Sequence, residues 1–339
     1  MARTLYLHLG PAKTGTSAIQ HTLSRHDGSV VLYPKAGLWG DGSHHNLVLN
    51  FFGDYERPEM VRQDADRLLE EIARQARESD RDLVISSEIL AGRRNLGPLV
   101  DSLKHAIGSN IRVVLVVVLR EHLERAASLY NQRVKDAVFA ERRDPDAFLV
   151  EQPLRFCYAS LLRRLAQTGF ELVVLNYHPA QDCVARCLAV FGFAPERIPE
   201  TAMRNVSLSR KALIATLAAN RLSATRQDRV RFDAALHRIS GRFVPSGVFF
   251  SGEAIARVRD VIAADRQFLR KAYAVKLPRR TRPKDANPLG IGEREFADIA
   301  AAVRELGTDG DRILEGARAY VRTAEPAAER IGAEKCEIS

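Results

Sequence analysis

Hydrophobic and polar positions alternate along this chain with two periods. Runs with strand character occur at "TLYLHL" (4–9), "SVVLYP" (29–34), "DLVISS" (82–87), "IRVVLVVVL" (111–119) and "FELVVLNY" (170–177). Between them, residues 63–78, 97–107, 121–137 and 155–168 place apolar side chains three and four apart and are rich in Leu, Ala, Arg and Glu, which predicts helices. Near-continuous Val/Leu strands separated by helices predict an α/β domain whose parallel sheet is covered on both faces. After about Pro199 no strands are expected. Residues 207–222 and 252–273 read as helices, with an Arg-rich helical stretch and "GRFVPSGVFFSGE" between them. The Pro- and charge-rich "KLPRRTRPKDANPLG" (276–290) then leads to an Ala/Arg/Glu-rich helical tail. The expected organisation is an α/β core over 1–200, a helical region over 201–277, and a linker with a helical tail over 278–339, with no internal repeat.

Composition narrows the class. The chain has 339 residues, 46% hydrophobic and 27% charged, as a soluble globular protein would. Lys and Arg number 51 against 42 Asp and Glu, a net charge of +9. That excess suits an anionic ligand, an acidic polymer or peripheral contact with an anionic membrane surface, and does not choose among them. Cys157, Cys183, Cys187 and Cys336 are too scattered for a disulfide framework, and no histidine or further cysteine pair completes a zinc site beside Cys183 and Cys187. Free, mostly buried thiols are expected. The longest apolar run, 113–119, is too short to span a bilayer, and no signal segment precedes the first strand, so a cytoplasmic location is expected.

Chemistry concentrates in two segments. "GPAKTGTS" (10–17) follows the first strand and opens a helix, as a phosphate-binding loop does. Gly10 and Gly15 keep the spacing of a Walker loop, but Thr16 stands where its lysine would be and Lys13 lies inside the loop. Amides from Lys13 to Ser17 at a helix N-terminus can still cradle an oxyanion. In that position the lysine no longer follows the helix toward a β,γ-bridge and can sit beside a group attached to a 5′-phosphate. Neither "DLVISSE" nor "VVLVVVLRE" ends in an aspartate placed for Mg²⁺, so no metal is expected. The second segment, "LREHLERAASLYNQ" (119–132), puts Arg120 at a strand end and Ser128 eight residues later, about two turns into a helix. Arginine and hydroxyl there can hold a second phosphate. Ligands of open α/β sheets bind at the C-terminal ends of strands, where both segments fall.

In these two motifs the chain resembles the sulfotransferase family that uses 3′-phosphoadenosine 5′-phosphosulfate (PAPS). The resemblance covers about residues 3–200. It implies a P-loop-type parallel sheet flanked by helices, PAPS as sulfuryl donor, and donor contacts from Gly10, Ala12, Lys13, Thr14, Gly15, Thr16, Ser17, Arg120 and Ser128. "RNVSLSRKAL" (204–213) resembles a downstream Asn-x-Ser segment of bacterial members, which brings in Arg204, Asn205 and Ser207. A helix N-cap by Ser207, with Lys211 beyond, explains that segment nearly as well.

In-line sulfuryl transfer needs a cation on the leaving phosphate, for which Lys13 is the candidate, and a base for the acceptor's proton. Glu88, at the end of "DLVISSE", is the first candidate base. Cytosolic members carry a histidine at the end of the comparable strand, and carbohydrate-modifying relatives use glutamate. The plain alternative is a Glu88 paired with Arg93 or Arg94. His45, in the Gly-rich "GDGSHHNL", is the second candidate, while His8 is expected to be a packed core histidine. The acceptor expected from the resemblance is a hydroxyl of a carbohydrate or glycolipid, bound with help from residues 201–277, in a bacterial protein. Two other classes compete: a nucleotide kinase with a degenerate Walker loop, and a non-catalytic nucleotide- or nucleic-acid-binding protein built on the basic 221–242. No nucleic-acid motif supports the last, and its arginines are interleaved with acids.

Overall fold

The computed structural model describes residues 3–54, 61–177, 183–194, 207–244, 250–278 and 289–321. In chain order the first elements are β1 (Arg3–His8), α1 (Thr16–Arg25), α2 (His45–Phe52), α3 (Ala65–Arg77), β2 (Leu83–Ser86), α4 (Gly97–Ile107) and β3 (Ile111–Leu119). Next come α5 (His122–Lys135), α6 (Pro145–Glu151), α7 (Ala159–Ala166), β4 (Glu171–Asn176) and α8 (Cys183–Val190). The remainder is β5 (Ser207–Leu208), α9 (Arg210–Leu222), α10 (Arg226–Leu236), β6 (Phe243–Val244), α11 (Gly252–Tyr273), α12 (Glu293–Val303) and α13 (Thr308–Arg318). The chain is α/β, with two compact units. One comprises residues 1–129, 149–205 and 253–282, the other 130–148, 206–252 and 283–339.

The first unit holds a four-stranded sheet in the order β2-β1-β3-β4, parallel at every pairing. Side chains of successive strand residues point to opposite faces, and each face has its own core. Leu5, Leu7, Leu83, Ile85, Leu115 and Val117 pack on one side with residues of α3, α4 and α7. Val84, Val114, Val116 and Val118 pack on the other with Ile19 and Leu23 of α1 and Cys187 and Leu188 of α8. Two-sided burial is why these strands read as continuous apolar runs. The predicted strand over 29–34 contributes a single bridge, Leu32 to Leu83. Val31 and Tyr33 are buried, and the Tyr33 hydroxyl donates to the Gly42 carbonyl at 2.7 Å, so this segment is tied down by side chains more than by a ladder.

Among its described residues the second unit is mostly helical, with the antiparallel pair β5–β6, two residues on each strand, and a bridge from Ile291 to Val321, where no strands were expected. Helix α9 is buried continuously from Ala212 to Asn220, and a Cβ on Gly316 of α13 would lie 3.1 Å from the Ala218 Cβ, so glycine permits that close approach. Asn220 donates to the carbonyls of Val134 and Glu141 at 2.9 and 3.0 Å, satisfying buried backbone groups. Chain tracing along α5 leaves the first unit after Leu129.

Candidate functional site at the strand ends

With all strands parallel and β1 between β2 and β3, the segments after these three strands emerge on one edge. Leu9 still belongs to that register, its amide donating to the Val116 carbonyl at 2.9 Å. The loop 10–15 then turns into α1 through Gly15, whose φ of 91° is left-handed. Helix α1 has no side-chain cap bond and no acid in its first turn, and its Ala18 amide already donates to the Gly15 carbonyl at 3.1 Å, so only its outermost amides face the loop. Thr14 ties the loop to itself by donating to the Pro11 carbonyl at 2.8 Å. A Cβ on Gly10 would come within 2.9 Å of Thr14 Oγ1, 3.2 Å of Thr16 Oγ1 and 3.5 Å of His8 Nε2, so polar atoms crowd that point and exclude any side chain. Lys13 is half-buried and adopts φ 76°, a left-handed backbone in a non-glycine residue. Ala12, Gly15 and Ser17 are half-buried.

On the β3 side, Arg120 follows Leu119 directly. The Tyr158 hydroxyl accepts from the Arg120 amide at 3.2 Å and donates to its carbonyl at 2.5 Å, fixing the residue's backbone. The guanidinium reaches the loop: Nη1 donates to the Lys13 carbonyl at 3.3 Å, Nε to Glu124 at 3.2 Å, and its plane lies 5.1 Å from the Tyr177 ring centre. Tyr177 also faces Gly15, whose Cβ would be 3.6 Å from the ring. Arg125 makes a second clamp, Nε donating to the Ala12 carbonyl at 3.3 Å while the guanidinium covers the Tyr158 ring at 5.1 Å.

Tyr158 is in turn held by Asp265, which accepts from the amides of Tyr158 and Ala159 at 3.0 and 2.8 Å and from His122 Nε2 at 2.8 Å. Burial by itself would raise the Asp265 pKa; the hydrogen bonds from His122 and the two amides outweigh it and hold the carboxyl below its ordinary value. Burial pushes the Tyr158 phenol up to about 12. Ser128 is half-buried on α5 in the same unit. Arg125, Tyr158, Tyr177 and Asp265 were not foreseen. Their hydrogen-bond partners lie as far as 143 residues away in sequence, a separation at which no motif operates.

On the β2 side, Ser86 pairs with His8 and the Ser87 amide donates to the His8 carbonyl at 3.1 Å. Two expectations change here. Glu88 does not end the strand: β2 stops at Ser86, and Glu88, half-buried, opens a 3₁₀ turn over Glu88–Gly92. His45 is no surface-loop residue. It begins α2, is 6% exposed, bonds Ser87 Oγ through Nδ1 at 2.7 Å and packs edge-on against Trp39 at 4.9 Å. The two candidate bases are thus brought to one corner, through adjacent residues Ser87 and Glu88. Arg93 pairs with Asp54 at 3.1 Å and lies over Phe52.

His8 is the core histidine the strand pattern predicts, fully buried, with Nδ1 against Ser86 Oγ at 2.8 Å; burial lowers it to about 4. His44 accepts from the Ser86 amide at Nδ1 (3.2 Å) and donates from Nε2 to the Pro34 carbonyl (2.9 Å), and burial lowers it to about 3. Both are neutral at pH 7.

Of the remaining expected site residues, Ser207 is buried in β5 of the second unit, and the N-cap position of α9 falls on Ser209, which makes no side-chain cap bond. Arg204 and Asn205 lie outside the described residues. Among the described residues, Cys157, Cys183 and Cys187 form no disulfide, and no group of three His, Cys, Asp or Glu is placed to hold a metal ion. No helix among them is long and apolar enough to cross a membrane. Comparison with protein-family models, with curated proteins and with solved structures finds no match to this chain.

Proposed function

We propose that this protein is a PAPS-dependent sulfotransferase with a P-loop-type sheet, acting on a hydroxyl of a carbohydrate or glycolipid. The observation that carries the proposal is the meeting of two motifs far apart in sequence: Arg120, after β3, reaches the Lys13 carbonyl inside the Gly10–Ser17 loop after β1. A loop with a free helix end and an arginine at its flank suits a nucleotide with phosphates at two positions. Lys13, Thr14, Gly15, Thr16 and Ser17 would take the 5′-phosphosulfate, and Arg120 with Ser128 the 3′-phosphate. In the reaction the acceptor oxygen bonds sulfur as the bond from sulfur to the bridging phosphate oxygen breaks. The Lys13 ammonium stabilises charge on the leaving phosphate, and the acceptor's proton passes to Glu88 or His45. When His45 Nδ1–H donates to Ser87, its Nε2 carries the lone pair a base needs.

Calorimetry with adenosine 3′,5′-bisphosphate in EDTA tests this reading. Binding without metal and much tighter than that of AMP is expected. Equal affinity for AMP would remove the 3′-phosphate site, and Mg²⁺-dependent ATP binding in its place would point to a kinase.

A further inference from the structure

The first unit contains a cavity of about 590 Å³ lined by α11, by the segment 275–277 that follows it, and by Glu121 and Leu123. That volume is ordinary for a small-molecule site. Its floor is apolar: Ile262, Leu269, Val275 and Leu277 are each at most 9% exposed. Glu121 is matched internally, accepting from Arg266 at 2.6 Å, and Arg266 also donates to the carbonyls of Leu277 and Pro278, which pins the segment to the helix.

The rim is different. Arg259 and Arg270 share the helix face of Ala263 and Arg266 by their spacing, and Lys276 stands opposite on the segment. All three cations are exposed, and none has an ion-pair partner among the described residues.

We infer that this cavity binds an amphiphilic anion: one alkyl or acyl chain on the apolar floor, with a phosphate, sulfate or carboxylate head against Arg259, Arg270 and Lys276. The ligand is taken as a single molecule and not as a bilayer, because the apolar side chains are recessed below the charged rim and a flat surface would meet only the cations. The site is separate from the Gly10–Ser17 loop and does not depend on sulfuryl transfer.

Titration of the full-length protein with monododecyl phosphate below its micelle concentration tests the inference. Saturable 1:1 binding is expected, with inorganic phosphate and dodecyltrimethylammonium silent. Octyl phosphate should bind at least tenfold more weakly, since each buried methylene is worth roughly fourfold. Ala263→Trp fills the cavity from an exposed position and should weaken binding at least tenfold with an unchanged melting temperature. The double variant Arg259→Gln, Arg270→Gln should weaken it roughly three- to tenfold, the scale of exposed charge pairs. Lys13→Ala should leave it intact, which keeps the outcome distinct from that of the donor-binding test. Equal binding of the cationic amphiphile, or unchanged affinity in both cavity variants, overturns the inference. Binding to phosphatidylglycerol vesicles but not to the monomer overturns it in favour of a membrane surface.

Discussion

The two flanks of the β1 loop occupy equivalent places in the sheet, each at the end of a strand hydrogen-bonded to β1, yet they are built from opposite chemistry. The β3 flank is cationic and clamped: Arg120 and Arg125 both reach loop carbonyls, and Tyr158 and Asp265 hold them from behind. The β2 flank is a cluster of histidines and serines, His8–Ser86, His44 against Ser86 and His45–Ser87, ending in Glu88. Fixed charge with rigid support suits recognition of an anion, while imidazole and carboxylate beside hydroxyls suit movement of a proton. On the proposed reading, donor affinity and turnover therefore separate by flank.

The strongest way to break that division lies on the β2 side. Glu88→Gln keeps shape and removes proton acceptance, so turnover should fall by roughly 10²–10⁴ with donor affinity unchanged. His45→Ala is the rival measurement; if it abolishes turnover while Glu88→Gln does not, the base is the histidine. In the loop between the flanks, Lys13→Ala should lower turnover at saturating donor by ~10²–10³ and affinity far less. Unchanged turnover would exclude the lysine from the transition state. On the β3 side, Arg120→Ala should weaken donor binding by roughly 1.5–3 kcal/mol, read by calorimetry. Normal affinity with lost turnover would reverse the roles assigned to the two flanks.

The smallest effect is in stability against pH. His8 and His44 are lowered in the folded protein to about 4 and about 3 from 6.5, so below about pH 6.5 the unfolded chain binds more protons and stability falls as pH falls. By pH 6 each should cost roughly 1 kcal/mol, and the loss should grow toward pH 4. Asp265 is also lowered, so its contribution is present above its ordinary 3.8 and disappears only in stronger acid. Urea denaturation between pH 7 and 4.5 should thus register the β2 flank before the β3 flank. A flat profile over that range would mean that the histidines are charged or exposed.

Much of the frame was legible because burial on both faces writes long apolar runs: β2, β3 and β4 fall within predicted strands, β1 is offset from its predicted 4–9 by one residue, and α4 and α11 match their predicted bounds. The run 29–34 misled for the same reason, since Val31 and Tyr33 are as buried as strand residues without forming a ladder. Helix α2 escaped notice because it is eight residues long and its N-cap, His44, makes no side-chain cap bond, leaving no start signal. The loop residues and Arg120 were visible as local motifs. Tyr177 and Asp265 were not, because they join the loop edge through packing and hydrogen bonds set by sheet order, a property of the folded chain and not of any short segment.

The left-handed backbone of Lys13 has an evolutionary consequence. A residue with a Cβ pays roughly 1–2 kcal/mol for that conformation, which glycine adopts freely. Variants of this protein screened for heat resistance alone should drift toward Lys13→Gly, gaining endurance while discarding the ammonium group. Retention of lysine under a screen that demands catalysis, and its loss under one that does not, would make position 13 a meter of whether a lineage still uses the loop.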